Sequence, residues 1–190
     1  MSREPAIALL QFDSVATGTL AADAMVKRAP ITTLRVGTVQ PGKYLVLIGG
    51  AVAVVEESYH EGIRVGHEAL TDQIILPDVH EQVYAAIAGK RQTKADDSLG
   101  IIEVTGLSAM LIAADRAVKA ADVKIIEIRL GDGLGGRGVT HLTGALESVQ
   151  AAIEAGLSAI QPMQARHSII PALDNELRKH IHRSTEFNPS

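Results

Sequence analysis

The chain is 190 residues long, with a net charge of −4, 46% hydrophobic and 3% aromatic residues, and no cysteine or tryptophan. The lack of cysteine excludes disulfides, thiolate metal sites, cysteine-ligated iron–sulfur clusters and a cysteine nucleophile. Without a Lys/Arg block or aromatics to stack bases there is no footprint for nucleic acid, and the longest apolar runs, such as Ala109 to Ala114, fall far short of the ~18 residues of a membrane span.

An aliphatic core is expected, and Ser2-Arg3-Glu4-Pro5 leads into the first strand with no signal peptide expected. Pro5 to Phe12 is a short apolar run and predicts a buried strand. Ser14 caps a helix over Ala16 to Arg28, closed by Lys27, Arg28 and Pro30. Ile31 to Thr38 predicts a strand, Val39 to Lys43 a Pro-Gly turn and Tyr44 to Ile48 the return strand, broken by Gly49-Gly50. Ala51 to Gly66 predicts a second helix with Val52, Val55 and Tyr59 on one face. Ile74 to Leu76 is a short strand, and Pro77 opens a terminal helix through Ala88.

Residues 90–98 are polar, lack apolar periodicity and form a linker between a first domain, 1–89, and a second, 99–183. In the second domain Leu99 to Thr105 predicts a strand, Ser108 to Ala121 a helix, Val123 to Leu130 a strand, and Gly131 to Gly138 a glycine-rich turn. Val139 to Thr143 is the return strand and Ala145 to Gly156 a helix with Leu146, Val149 and Ile153 on one face. Ile169-Ile170 is a short strand, Asp174 to His182 a terminal helix, and 184–190 a flexible tail.

The two halves are copies. Leu20 to Lys27 matches Ile112 to Lys119 at five of eight positions, at an offset of 92 residues that also aligns Ile7–Gln11 with Leu99–Glu103. Two extra residues in the second turn then bring Gly50 onto Gly144 and Leu76-Pro77 onto Ile170-Pro171. Each copy reads β-α-β-β-α-β, so the fold class is α/β, more strictly α+β, as two tandem ferredoxin-like domains. Fold alone does not give function.

No catalytic set is repeated. Asp23/Asp115 and Gln11/Glu103 are the repeated acid-like positions, and neither has a His or a nucleophile repeated beside it. His167, His180 and His182 raise a metal reading, but His180 and His182 project from different faces of a helix, so no metal site is expected. Gly131-Asp132-Gly133-Leu134-Gly135-Gly136 spells G-x-G-x-x-G, yet a strand follows it where a dinucleotide site needs a helix. A tight loop packed closely against a neighbour is the better reading. Lys27 and Lys119 stand at equivalent places, where helix-end charge compensation explains one more easily than two.

Ala22-Asp23-Ala24-Met25-Val26-Lys27-Arg28-Ala29, Gln40-Pro41-Gly42-Lys43, Gly49-Gly50-Ala51-Val52 and Ile75-Leu76-Pro77 resemble a bacterial microcompartment shell domain. Two of these in one chain are similar to the tandem-domain shell proteins that form trimers. The resemblance implies a non-enzymatic structural protein, a pseudohexameric homotrimer packed edge to edge with hexameric shell proteins in a shell within the bacterial cytoplasm. It implies lattice-edge roles for Lys27 and Lys119. It also implies that Thr38, Val39, Gln40, Pro41, Gly42 and Lys43, with Gly131, Asp132, Gly133, Leu134, Gly135, Gly136 and Arg137, line a central pore for small metabolites. Some tandem shell proteins place a cluster-binding cysteine on the first loop. Gln40 stands there instead, so no cofactor is expected and Gln40 would line a polar constriction. Lys43 and Arg137 would add six positive charges per trimer and Asp132 three negative ones, favouring anions if the basic groups face the channel. A small-molecule-binding regulatory protein, with the Gly131–Gly138 loop as ligand cradle, is the alternative.

Overall fold

The computed structural model describes residues 6–92, 98–160 and 165–186. The elements are β1 (Ala6–Phe12), α1 (Val15–Arg28), β2 (Thr33–Val39), β3 (Lys43–Gly50), α2 (Val52–Gly66), β4 (Leu70–Leu76) and α3 (Glu81–Ile87). The second copy supplies β5 (Ser98–Thr105), α4 (Leu107–Ala120), β6 (Val123–Leu130), β7 (Arg137–Gly144), α5 (Leu146–Ser158), β8 (Ala165–Ile170) and α6 (Asn175–Arg183). They form two four-stranded antiparallel sheets, ordered β2-β3-β1-β4 and β6-β7-β5-β8. This is the expected β-α-β-β-α-β arrangement, twice, each with a short terminal helix. Ala6 pairs with Gly50 and Ser98 with Gly144, so the sequence offsets of 92 and 94 become a shared register.

In the first copy Ala6, Ala8, Leu10 and Phe12 turn to the helices and pack with Ala21, Ala22, Met25, Tyr44, Val46, Ile48 and Val55. Ile7 and Leu9, on the opposite face of β1, are buried too, which is why the strand reads as a continuous apolar run. Ser14 caps α1 by accepting from Thr17 N at 3.2 Å. Small residues let the helices approach: Ser58 of α2 donates to the Met25 carbonyl of α1 at 3.0 Å. A Cβ on Gly62 would lie 2.5 Å from Met25 Sδ, and one on its counterpart Gly156 would lie 2.8 Å from the Ala113 carbonyl oxygen.

The chain falls into two compact units. One gathers residues up to Tyr84 with Gly106–Ser108 and Leu130–Gly136; the other gathers Ala85–Thr105, Ala109–Arg129 and the chain from Arg137. Within the first unit Asp72 caps α4, accepting from Ser108 N at 3.1 Å and from Ser108 Oγ at 2.5 Å.

Several expected boundaries are corrected. Gly49-Gly50 does not break β3: both pair with β1, and glycine stands at 49 because a Cβ would meet Thr33 Cβ at 3.3 Å and Tyr84 Cε2 at 3.5 Å. Strands β4 and β8 begin earlier than expected, at Leu70 and Ala165, since these sheet-edge strands carry polar residues that mask their pattern. Helix α3 begins at Glu81, after Pro77. Ser98 belongs to β5 rather than to the linker, with its Oγ donating to the Pro171 carbonyl at 2.8 Å. The tail is not loose at its start, for Thr185 donates to Glu127 and Glu186 pairs with Arg129 at 3.8 Å. The expectations for Pro5, for 93–97 of the linker and for 187–190 lie outside the described residues. No helix among the described residues is long and apolar enough to cross a membrane.

Candidate pore loops and lattice edge

Of the two loops singled out in the sequence, Thr38 to Lys43 and Gly131 to Gly136 belong to the first compact unit and Arg137 to the second. Thr38 and Val39 close β2, the Gln40–Pro41 peptide is cis, Gly42 completes the turn and Lys43 opens β3. The second loop, 131–136, joins β6 to β7, with Arg137 opening β7. Gly131 and Gly136 have φ values of +77° and +85°, which disfavour a side chain. A Cβ at either would also be crowded, lying 3.2 Å from Val39 Cγ2 or 3.2 Å from Pro41 Cδ respectively. The first loop thus packs on the glycine backbone of the second within one chain. Because the G-x-G-x-x-G stretch joins two strands, it offers no helix N-terminus to a dinucleotide phosphate.

Charge at the loops differs from the expectation. Arg137 Nη1 donates to Glu103 Oε1 at 2.6 Å, so this arginine carries its own counter-ion. Glu103 occupies the place of Gln11, which bonds instead to Thr71 Oγ1 at 3.0 Å. Lys43 makes no ion pair among the described residues. Arg137 is thus tempered by a carboxylate of its own chain, whereas Lys43 is not.

The repeated lysines and aspartates, read separately in the sequence, are partners. Lys27 Nζ lies 2.6 Å from Asp23 Oδ2 on α1, and Lys119 Nζ 2.7 Å from Asp115 Oδ2 on α4, each at i,i+4 spacing. Such pairs stabilise a helix by only roughly 0.2–0.5 kcal/mol. The signal for this pairing was the shared four-residue spacing within the best-matched stretch. The three histidines lie on two different elements, His167 on β8 and His180 and His182 on α6, with His182 Nδ1 3.0 Å from the Gln92 carbonyl. Among the described residues no three metal-ligating side chains stand together.

A buried polar cluster on the second sheet escaped the sequence reading. Glu127 on β6 pairs with Arg91, accepts from Thr185, and lies 3.4 Å from His141 Nδ1 on β7. Burial, then the Arg91 and Arg129 guanidiniums, lower the His141 pKa to about 4. The Glu127 carboxylate would favour an imidazolium, but it is already engaged by Arg91 and Thr185, so the ring stays neutral. In the first copy the equivalent positions are Arg35, exposed, and Leu47, buried, so no repetition marked the cluster.

The BMC domain model matches residues 6–79 and again 98–173. The chain is 34% identical over 148 residues to the bacterial microcompartment shell protein PduT of Citrobacter freundii, covering 78% of this chain and 80% of that one. It is 27% identical over 173 residues to the carboxysome assembly protein CcmO of Synechocystis sp., covering 82% of this chain and 57% of that one. Among solved structures, a microcompartments protein from Desulfitobacterium hafniense superposes with a TM-score of 0.86 at 38% identity, over 92% of this chain and 98% of that one.

Proposed function

The chain belongs to the BMC-domain family of microcompartment shell proteins, and from that premise we propose that it works as a homotrimeric, pseudohexagonal tile. Six domains alternate around a three-fold axis, the two loops meet at the pore, and Lys27 and Lys119 meet hexameric neighbours at the edge. The work is structural, not enzymatic: to close the shell while small metabolites pass. Gln40 and Lys43 then set the polarity of the constriction, with Arg137 tempered by Glu103.

One observation carries the trimer. The two copies are built alike, yet faces buried in the second are bare in the first. Leu107 of α4 is 0% exposed and its counterpart Val15 of α1 49%; Ile126 of β6 is 0% exposed and its counterpart Leu34 of β2 44%. Val36 and Val26 are exposed where Ile128 and Val118 are buried. Leu34 and Val36 stand opposite Ile48 and Val46, which point at the helices, so they continue the core face of the first sheet past its own cover. A second copy of the chain, presenting to this bare face what the second repeat's own surroundings present to its equivalent, would cover it. That contact joins unlike surfaces head to tail, and rotation closes it into a ring.

Light scattering should give about 60 kDa, three chains of 20.1 kDa. Leu34→Arg with Val36→Arg, both solvent-facing in the single chain, should reduce this to the mass of one chain with the circular dichroism unchanged. A wild-type monomer, or a variant that stays trimeric, would overturn the proposal. A monomer that binds a small molecule saturably and forms no sheets would favour the regulatory alternative.

A further inference from the structure

Helix α6 and the residues after it are held to the second sheet in an unusual way. No α6 residue is buried, and Leu177 is exposed. Ile181 packs against a small cluster that includes Leu99 and Leu173. Asp174 caps the helix, accepting from Glu176 N at 2.9 Å and Leu177 N at 3.4 Å. Arg178 Nη2 donates to the Leu173 carbonyl at 3.1 Å, and further polar attachments gather around one buried carboxylate. Glu127 accepts from Thr185 and pairs with Arg91, which also donates to the Ile181 carbonyl. Arg129, two residues along β6, reaches Thr185 Oγ1 at 3.4 Å and Glu186 at 3.8 Å. His182 bonds the Gln92 carbonyl, and Gln92 N donates to the Ile126 carbonyl at 3.3 Å. Chain leading into the second copy and chain leaving it are thereby fastened to the same strand.

His141 pairs across β5 with Ile101, while neighbouring Gly100 turns to α5, where a Cβ would meet Val149 Cγ1 at 2.7 Å. His141, and Glu127 beside it, therefore lie on the face away from that helix. An element with one apolar anchor and a charged latch opens at lower free energy than a core element, because little apolar area is exposed when it lifts. We propose that α6 with Ser184–Glu186 is a strap latched by Glu127, Arg129 and Arg91, which lifts from the second sheet as a unit while the rest of the fold stays closed. The first copy has no such latch, with Arg35 where Glu127 stands and Leu47 where His141 stands. The strap's helix repeats α3 of the first copy, whereas its charged latch is an addition to the repeated fold, and the strap controls access to the outer face of β6 and β7. Lifting it uncovers two guanidiniums, a carboxylate and a neutral imidazole.

Hydrogen–deuterium exchange on the whole protein at pH 7 tests this. Amides of α6 and Ser184 to Glu186 should exchange together and at least tenfold faster than those of β5. Thr185→Val with Glu186→Gln, both outside the core, should speed them by roughly a further tenfold, the loss expected from hydrogen bonds to charged groups, with β5 unchanged. The proposal fails if α6 exchanges only as slowly as β5, or if the double variant leaves its rate unchanged. Glu127→Gln, read the same way, should free the strap further, and equal acceleration of β5 would show that Glu127 holds the fold and not the strap.

Discussion

A histidine beside a carboxylate is usually expected to gain a proton readily, yet His141 resists one. In the unfolded chain the imidazole titrates near 6.5; folded, it does so only at about 4. Between those values the unfolded chain binds more protons, so stability is complete above 6.5 and falls as the solution is acidified towards 4, by at most about 3 kcal/mol. His141→Leu, the residue the first copy carries at this place, should remove that slope. Urea midpoints at pH 7 and pH 5, at fixed protein concentration, should show the variant gaining about 2 kcal/mol on the wild type over that interval. Parallel slopes would mean that His141 takes up its proton as readily in the folded chain as in the unfolded one. Nothing in the sequence marked this residue: an isolated ionisable side chain in an alternating strand reads as the solvent face, whereas His141 is buried beside Glu127. The loop residues were legible for the opposite reason, because glycine at a crowded turn is written into the sequence itself.

Helix pairs in the two copies obey the same rule through different atoms. Gly62 faces the Met25 thioether, which can swing aside, whereas Gly156 faces the Ala113 carbonyl oxygen, fixed in the α4 backbone. Alanine favours a helix by about 1 kcal/mol over glycine, but overpacking a core costs roughly 1–3 kcal/mol. Gly156→Ala should therefore destabilise by about 2 kcal/mol and Gly62→Ala by less than about 1 kcal/mol, as measured by chemical denaturation. Equal effects would contradict the distinction between a yielding and an unyielding neighbour. At this scale the sequence told most of the story. Helices with an apolar stripe and a cap, such as α1 behind Ser14, were placed within a residue or two. Strand β6 was placed at both ends. Strands β4 and β8 were half hidden, since their exposed edge positions Thr71, Gln73, Arg166 and His167 lack the apolar character that announces a strand. The repeat supplied the topology that propensity alone would have left open.

For the whole molecule, the exposed Lys27 and its counterpart Lys119 raise a question of scale. Their intrahelical pairs with Asp23 and Asp115 contribute too little to explain their presence in both copies. Lys27→Ala with Lys119→Ala should leave the mass in dilute solution at three chains and prevent ordered sheets or mixed layers with hexameric shell proteins in electron micrographs. Intact layers would remove the two lysines from the edge. The expected division into two consecutive domains differs from the division by compactness, because Gly106–Ser108 and Leu130–Gly136 of the second copy fall in the first compact unit. Such exchange of short segments has no signature in periodicity or composition.

The mismatch of Glu127 and His141 with Arg35 and Leu47 bears on inheritance as much as on stability. In a ring of six separate identical chains, one codon change alters all six wedges at once, and a harmful feature is repeated six times. With two wedges joined in a single polypeptide, a mutation reaches every second wedge only. One set can keep the plain sheet face while the other acquires a charged latch on its terminal helix. Fusion thereby gives a tile of near six-fold outline the freedom to evolve with three-fold symmetry.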